Sequence, residues 1–227
     1  MKSGILLIDK PAGKTSFYLV YILRKLTGIK KIGHAGTLDP LATGVMVMLI
    51  GREATRLSDK FIGHHKTYET TIFLGARTTT LDSEGDICET SPFQPSLEQV
   101  KEALSDFQGS TFQTPPMYSA KKVQGKKLYD LARKGEEIQR KPCQVWMQID
   151  LLEYTYPLLR LKVHCSSGTY IRSLADDLGS QLSCFGHIQQ LRRIQSGPFS
   201  IEECHALENI TKDAIPLRTI DENSLLY

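Results

Sequence analysis

Gly33-His34-Ala35-Gly36-Thr37-Leu38-Asp39-Pro40-Leu41-Ala42-Thr43-Gly44 runs directly into Val45-Met46-Val47-Met48-Leu49-Ile50. Twelve turn-rich residues thus end on six consecutive apolar ones. The glycines let the backbone turn sharply and let another molecule approach closely. Asp39 precedes a proline, which biases it away from the helical region and fixes where its carboxylate points. The run Val45–Ile50 has the length of a buried strand, and falls far short of the roughly 20 residues that a bilayer requires. Taken by itself, an Asp-Pro pair is above all a turn initiator, because Asx side chains cap turns so readily. A carboxylate held out for chemistry is the second reading, and spacing does not choose between them.

Working outward, GILLID at residues 4–9 reads as another buried strand, ended by the turn signal Lys10-Pro11-Ala12-Gly13. Thr15 or Ser16 can cap a helix whose Phe17, Val20, Tyr21, Leu23 and Leu26 recur at helical spacing up to Gly28. Glu53 to Phe61 reads as a short helix and Lys66 to Leu74 as a strand. Residues 78–96 are polar and turn-rich, and Ser96 caps an amphipathic helix through Phe107. Gln144–Tyr154 with Leu158–Cys165 forms an antiparallel pair, Tyr170–Leu182 a helix, and His187–Ile194 a strand. Lys126–Lys134 is expected to be helical. Strands and helices alternate without a regular βαβ rhythm, so the expected class is α+β around a mostly antiparallel mixed sheet. One domain over residues 1–227 is expected, with a basic insertion at about 112–142.

The chain has 227 residues, 41% hydrophobic and 23% charged, which suits a soluble globular protein with a full core. No secretory signal is legible at the amino terminus, and the five cysteines are odd in number and lack a CxxC pair. Reduced thiols in the cytoplasm are the expectation. No metal site is expected, since His64 and His65 are adjacent and would point apart on a strand. Gly13-Lys14-Thr15 has the end of a phosphate-binding loop, but position 8 is Ile where that motif needs glycine, so no nucleotide cofactor is expected. Charge is uneven. Between Phe112 and Pro142 eight Lys or Arg face three acids, a net +5 within a chain of net +3. Such a segment is either a solvated face or the footprint of a polyanion.

The string GHAGTLDPLATG closely resembles the catalytic motif of the TruB-type tRNA pseudouridine synthases. The likeness extends along the chain in matching order. DKPAGKTS resembles the family's opening KPxGxTS, and Lys66-Thr67-Tyr68 its KxY element. TPPMYSAKKVQGKKLYDLARKG resembles its RNA-clamping insertion, Gly168-Thr169-Tyr170-Ile171-Arg172 its GTYIR, and Leu191-Arg192-Arg193 its LRR. Each short piece is weak alone; five in order beside a long Asp motif are very specific.

The resemblance implies a pseudouridine-synthase-like catalytic domain that isomerises uridine 55 in the T-loop of tRNA without a cofactor. It implies Asp39 as nucleophile or base, Arg172 as its ion-pair partner, and Tyr68 stacked on the target uracil. It implies Tyr170 and Leu191 as pocket walls and His34 as the group filling the gap left by the flipped nucleotide. Lys121, Lys122, Lys126 and Lys127 would hold phosphates of the T-arm. Read without it, Tyr68 and Leu191 are core residues and Arg172 a surface helix residue. Many bacterial relatives carry a further carboxy-terminal RNA-binding domain of the PUA type; a short, monomeric form lacking it is expected here. Two rival readings remain. A non-catalytic RNA-binding factor would tolerate loss of Asp39 or Arg172, and both are present. A base-excising glycosidase would use a pair of carboxylates with a water and release free uracil.

Overall fold

The computed structural model describes every residue except 1–2, 120, 124, 133–134, 137, 213–214 and 221–227, and omits the side chains of 122, 123, 126, 127 and 130. In chain order the elements begin with β1 (Gly4–Lys10), α1 (Ser16–Thr27), β2 (Ile32–Ala35), β3 (Thr43–Ile50), α2 (Gly51–Arg56) and α3 (Ser58–Gly63). They continue with β4 (Lys66–Leu74), β5 (Ala76–Thr78), β6 (Ile87–Thr90), α4 (Leu97–Ser105) and β7 (Gly109–Gln113). Next come β8 (Lys122–Val123), β9 (Lys126–Lys127), α5 (Leu128–Ala132), β10 (Cys143–Thr155) and β11 (Leu158–Cys165). The last are α6 (Ile171–Gln181), β12 (Gly186–Ser196), β13 (Phe199–Ser200) and β14 (His205–Ala206). The chain divides into two compact units, residues 1–68 with 191–227, and residues 69–190.

In the first unit β3 is the hub. It pairs antiparallel with β1 along its whole length, from Gly4↔Ile50 to Lys10↔Gly44. Along its other edge β2 pairs antiparallel with Val47 to Ile50, while β12 pairs parallel with Thr43 and Gly44. β1 in turn takes β14 in parallel register. The all-apolar sequence of β3 is explained by burial on both faces, for every residue from Gly44 to Ile50 is buried. α1 begins where Thr15 accepts a hydrogen bond from the Tyr18 amide, and ends at Gly28, whose positive φ of 73° suits a residue without Cβ.

The buried stripe of α1 is Ser16, Leu19, Val20 and Leu23, at spacings of three and four. Phe17 and Tyr21 each lie one position off that stripe and are 62% and 56% exposed. The sequence reading placed both on the apolar face, and the rotation of the helix overturns it. Two other expectations are refined. Residues 53–61 fold as two one-turn helices divided at Leu57, and His34 belongs to the strand β2 inside the turn-rich stretch.

In the second unit β10 is paired on one side with β11, from Met147↔Cys165 to Thr155↔Leu158, and on the other with β7. α4 starts in a capping box in which Ser96 and Gln99 satisfy each other's backbone amides. The polar stretch 78–96 contains β6, which pairs back on β5 at the start of the stretch in a hairpin that composition did not announce. In the insertion, α5 begins at Leu128, after the paired two-residue strands β8 and β9, so the helix expected from Lys126 starts later.

Candidate active site

Asp39 sits in a loop that the first unit grips from three directions. Ser16, at the start of α1, has a hydroxyl that donates to the Leu38 carbonyl at 3.0 Å and accepts from the Leu38 amide at 2.9 Å. One side chain thus closes both backbone groups of the residue before Asp39. Lys10, fully buried at the end of β1, donates from Nζ to the carbonyls of Pro40 at 3.1 Å, Pro11 at 2.8 Å and Lys14 at 2.6 Å. The Gly13 amide reaches the same Pro40 carbonyl at 2.9 Å. A buried ammonium is tolerable only with such a full set of acceptors. The KPAG turn and the Asp39-Pro40 turn are therefore one cross-braced structure.

The third grip comes from β12. Arg193, 1% exposed, donates from Nε to the Val45 carbonyl at 2.7 Å and from Nη2 to the Gly36 carbonyl at 3.3 Å. Its neighbour Arg192 points to the opposite side of the strand, where it makes a forked ion pair with Asp9 at 2.7 and 3.1 Å. Gly44 adopts φ +104°, and a Cβ there would lie 2.1 Å from the Arg193 carbonyl oxygen. Only glycine admits this approach of two backbones.

The first unit also carries His34, Tyr68 and Leu191. Leu191 immediately precedes the two arginines on β12, and Tyr68 lies on β4, the neighbouring strand. Both are nearly buried, as pocket walls or core residues would be. His34 lies on β2, and its Nδ1 is buried with no hydrogen-bond partner. Burial, and secondarily the positive charge of Arg193, lower its pKa, which favours the neutral ring.

Tyr170, Arg172 and Lys121 belong to the second unit. Gln113 at the end of β7 clamps Tyr170, accepting from its amide at 2.8 Å and donating to its carbonyl at 3.0 Å. Arg172, 3% exposed, is no surface residue. Its guanidinium donates to the carbonyls of Thr80 at 3.0 Å and Tyr118 at 2.6 Å, and forms an ion pair with Asp82 at 3.8 Å. Asp82 is itself buried, and is held by the Thr80 hydroxyl and the Glu84 amide. Sequence reasoning missed it. The only available signal was an acid among the turn formers of Leu81-Asp82-Ser83-Glu84-Gly85. Lys121 donates to the Cys143 thiol at 2.6 Å, so it is tied to the root of the insertion. The side chains of Lys122, Lys126 and Lys127 lie outside the described residues.

A half-buried, cross-braced carboxylate loop in one unit and a buried, carbonyl-bound arginine in the other mark an α+β protein whose motifs are those of the pseudouridine-synthase class. Comparison with known proteins narrows this. The model of the TruB family pseudouridylate synthase N-terminal domain matches residues 24–171, and that of the tRNA pseudouridylate synthase B C-terminal domain matches 172–226. A tRNA pseudouridine synthase B from Chlamydia pneumoniae is 53% identical over 229 residues, 99% of this chain and 97% of the relative. Another from Clostridium novyi is 45% identical, covering 99% of this chain and 78% of the relative. Among solved structures, a Cbf5–Nop10–Gar1 complex contains a chain with a TM-score of 0.72 at 26% identity. The match covers 92% of this chain and about half, 54%, of that one. The chain belongs to the TruB family of pseudouridylate synthases.

Proposed function

We propose that this protein isomerises the uridine at position 55 of the tRNA T-loop to pseudouridine, with Asp39 as the reacting carboxylate. The observation that carries the reading is the cross-braced Asp39 loop, set in a chain that is 53% identical over almost its full length to a tRNA pseudouridine synthase B. The reaction breaks the N1–C1′ bond, turns the uracil and joins C5 to C1′. C5 loses a proton and N1 gains one, so the product is an isomer and the chemistry calls for no oxidant, nucleotide or metal. Asp39 acts either by attacking C1′ or by removing a sugar proton.

Arg172 pairs with the Asp39 carboxylate in the working site, holding it ionised and aimed. Tyr68 stacks on the uracil and assists loss of the C5 proton, while Tyr170 and Leu191 wall the pocket. The uridine is extruded from the T-loop, at a cost of a few kcal/mol, and His34 occupies the space it leaves. Support for that role comes from its half-buried ring, whose buried Nδ1 has no hydrogen-bond partner. Lys121, Lys122, Lys126 and Lys127 of the insertion draw the phosphates of the T-arm by charge. The enzyme works as a monomer in the cytoplasm, where tRNA is. Among the described residues no helix is long and apolar enough to cross a membrane.

The test is tritium release from unmodified tRNA labelled at uracil C5, with wild type beside Asp39→Asn. Release by wild type, mapped to the T-loop uridine, and no detectable release by the variant is the expected result. Equal release by both would remove Asp39 from the chemistry. Free uracil and an abasic site in place of pseudouridine would make the protein a glycosidase.

A further inference from the structure

α1, β2 and the α2–α3 segment enclose a groove of about 500 Å3 whose lining includes Phe17, Arg24, Lys31, His34, Thr55 and Ile62. Three of its properties do not belong to an ordinary core. Phe17 is 62% exposed, as Tyr21 one turn on is at 56%, although Leu19, Val20 and Leu23 of the same helix are buried. Arg24 lies over the Phe17 ring at 5.9 Å and donates to the Ile32 carbonyl at 3.4 Å, so the cation is fixed at the groove wall with donors to spare. No acid lines the groove, and Lys31 stands on its rim.

We infer that this groove is a second nucleotide subsite, which receives an unpaired nucleotide next to the flipped uridine, its base against Phe17 and its phosphate between Arg24 and Lys31. The inference rests on the RNA-modifying reading, because His34 both lines this groove and stands in the gap left by the target uridine. A nucleotide that loses its stacking neighbour needs a new surface, and an aromatic ring provides one for any base. The cations supply what the adjoining phosphate requires. The charge pattern decides for a nucleic acid. A self-associating aromatic face would not gather Arg24 and Lys31, with Lys25 and Lys30 exposed nearby, and leave them without acidic counterparts in the groove.

The test uses the whole chain and an unmodified T-arm hairpin, comparing wild type with Phe17→Ala, Phe17→Trp and the double variant Arg24→Ala/Lys31→Ala. Affinity is titrated at several salt concentrations, tritium release is followed on the same RNA, and sedimentation records the oligomeric state. Phe17→Ala is expected to weaken binding about tenfold and Phe17→Trp to restore it. The double variant is expected to flatten the slope of log affinity against log salt by about 1.4. Binding and release within twofold of wild type for all variants overturn the subsite. So does a wild-type dimer that Phe17→Ala dissociates without loss of hairpin affinity. A wild type that binds the hairpin and releases no tritium, while Phe17→Ala still weakens binding, sustains the subsite and removes the catalytic reading. A wild type that does not bind the hairpin ends both.

Discussion

The Asp39 loop and the basic insertion both present charge, and they are built on opposite plans. Around Asp39 almost every turn is tied by a buried side chain from another element: Ser16 on Leu38, Lys10 on Pro40, Arg193 on Gly36. The insertion rests on two-residue strands and a five-residue helix, with Leu128 and Leu131 buried and Arg140 reaching the Pro115 carbonyl at 3.3 Å. Under the proposed function the contrast follows from what each charge has to do. A carboxylate that reacts at one carbon needs placement to a fraction of an ångström. A lysine that neutralises a phosphate acts through a field that tolerates ångströms of displacement.

If the contrast is sound, the loop should break where the insertion merely weakens. Gly44→Ala should have the largest effect. The added Cβ meets the Arg193 backbone at 2.1 Å, so β12 has to withdraw from β3. A loss on the order of 4 kcal/mol is expected, seen as a fall of about 12 °C in Tm, together with loss of tritium release. Lys10→Met keeps the volume and deletes the ammonium, leaving the carbonyls of Pro11, Lys14 and Pro40 short of a donor. On the order of 3 kcal/mol should be lost, and kcat should fall more than hairpin affinity does. A Lys10→Met enzyme with unchanged kcat would show that the loop does not need its brace.

Acid should also act on the braced unit. His34 and the fully buried His64 have pKa values lowered chiefly by burial, and secondarily by Arg193 and Lys66 respectively. The unfolded chain then binds more protons than the folded one as pH falls below 6.5. Stability is therefore complete above pH 6.5 and declines as pH falls through the folded values. Thermal melts between pH 8 and pH 5 should show that decline, and His64→Leu should flatten it. The smallest effect on stability belongs to Lys121→Ala in the insertion. Its Tm should stay within about 2 °C of wild type, while the salt slope of hairpin binding falls by roughly 0.7 to 0.9. A Tm loss as large as that of Lys10→Met would erase the distinction between the two regions.

The same contrast governs what could be read from the chain alone. The strands β1, β3, β4, β10 and β11 and the helices α1, α4 and α6 were legible, because each carries a long apolar run, a period or a cap. The Asp39 motif and the resemblance it bears led to the family. What stayed hidden was tertiary. Lys10 looked like part of a turn signal, and nothing local shows that its side chain turns inward to three carbonyls. By residue type alone Arg172 read as a surface residue, and only the GTYIR resemblance marked it for a site, while Asp82 had no motif to mark it. Phe17 and Tyr21 fitted a helical period that was correct in spacing and wrong in phase. The hairpin β5–β6 pairs a three-residue strand with a fully exposed four-residue one, too short and too little patterned for hydrophobic periodicity to give a signal.

The bonds from Arg193 to Val45 and Gly36 join residues 148 and 157 positions apart. During synthesis the loop therefore emerges long before the side chain that ties it. At ribosomal speeds of roughly 5–20 residues per second, that interval is on the order of 10 to 30 s. A nascent chain exposes the carboxylate loop while it is still slack, among the very tRNAs that are delivering its amino acids. The long-range arginine thus works as a clock: it withholds a finished carboxylate loop until most of the polypeptide has been made.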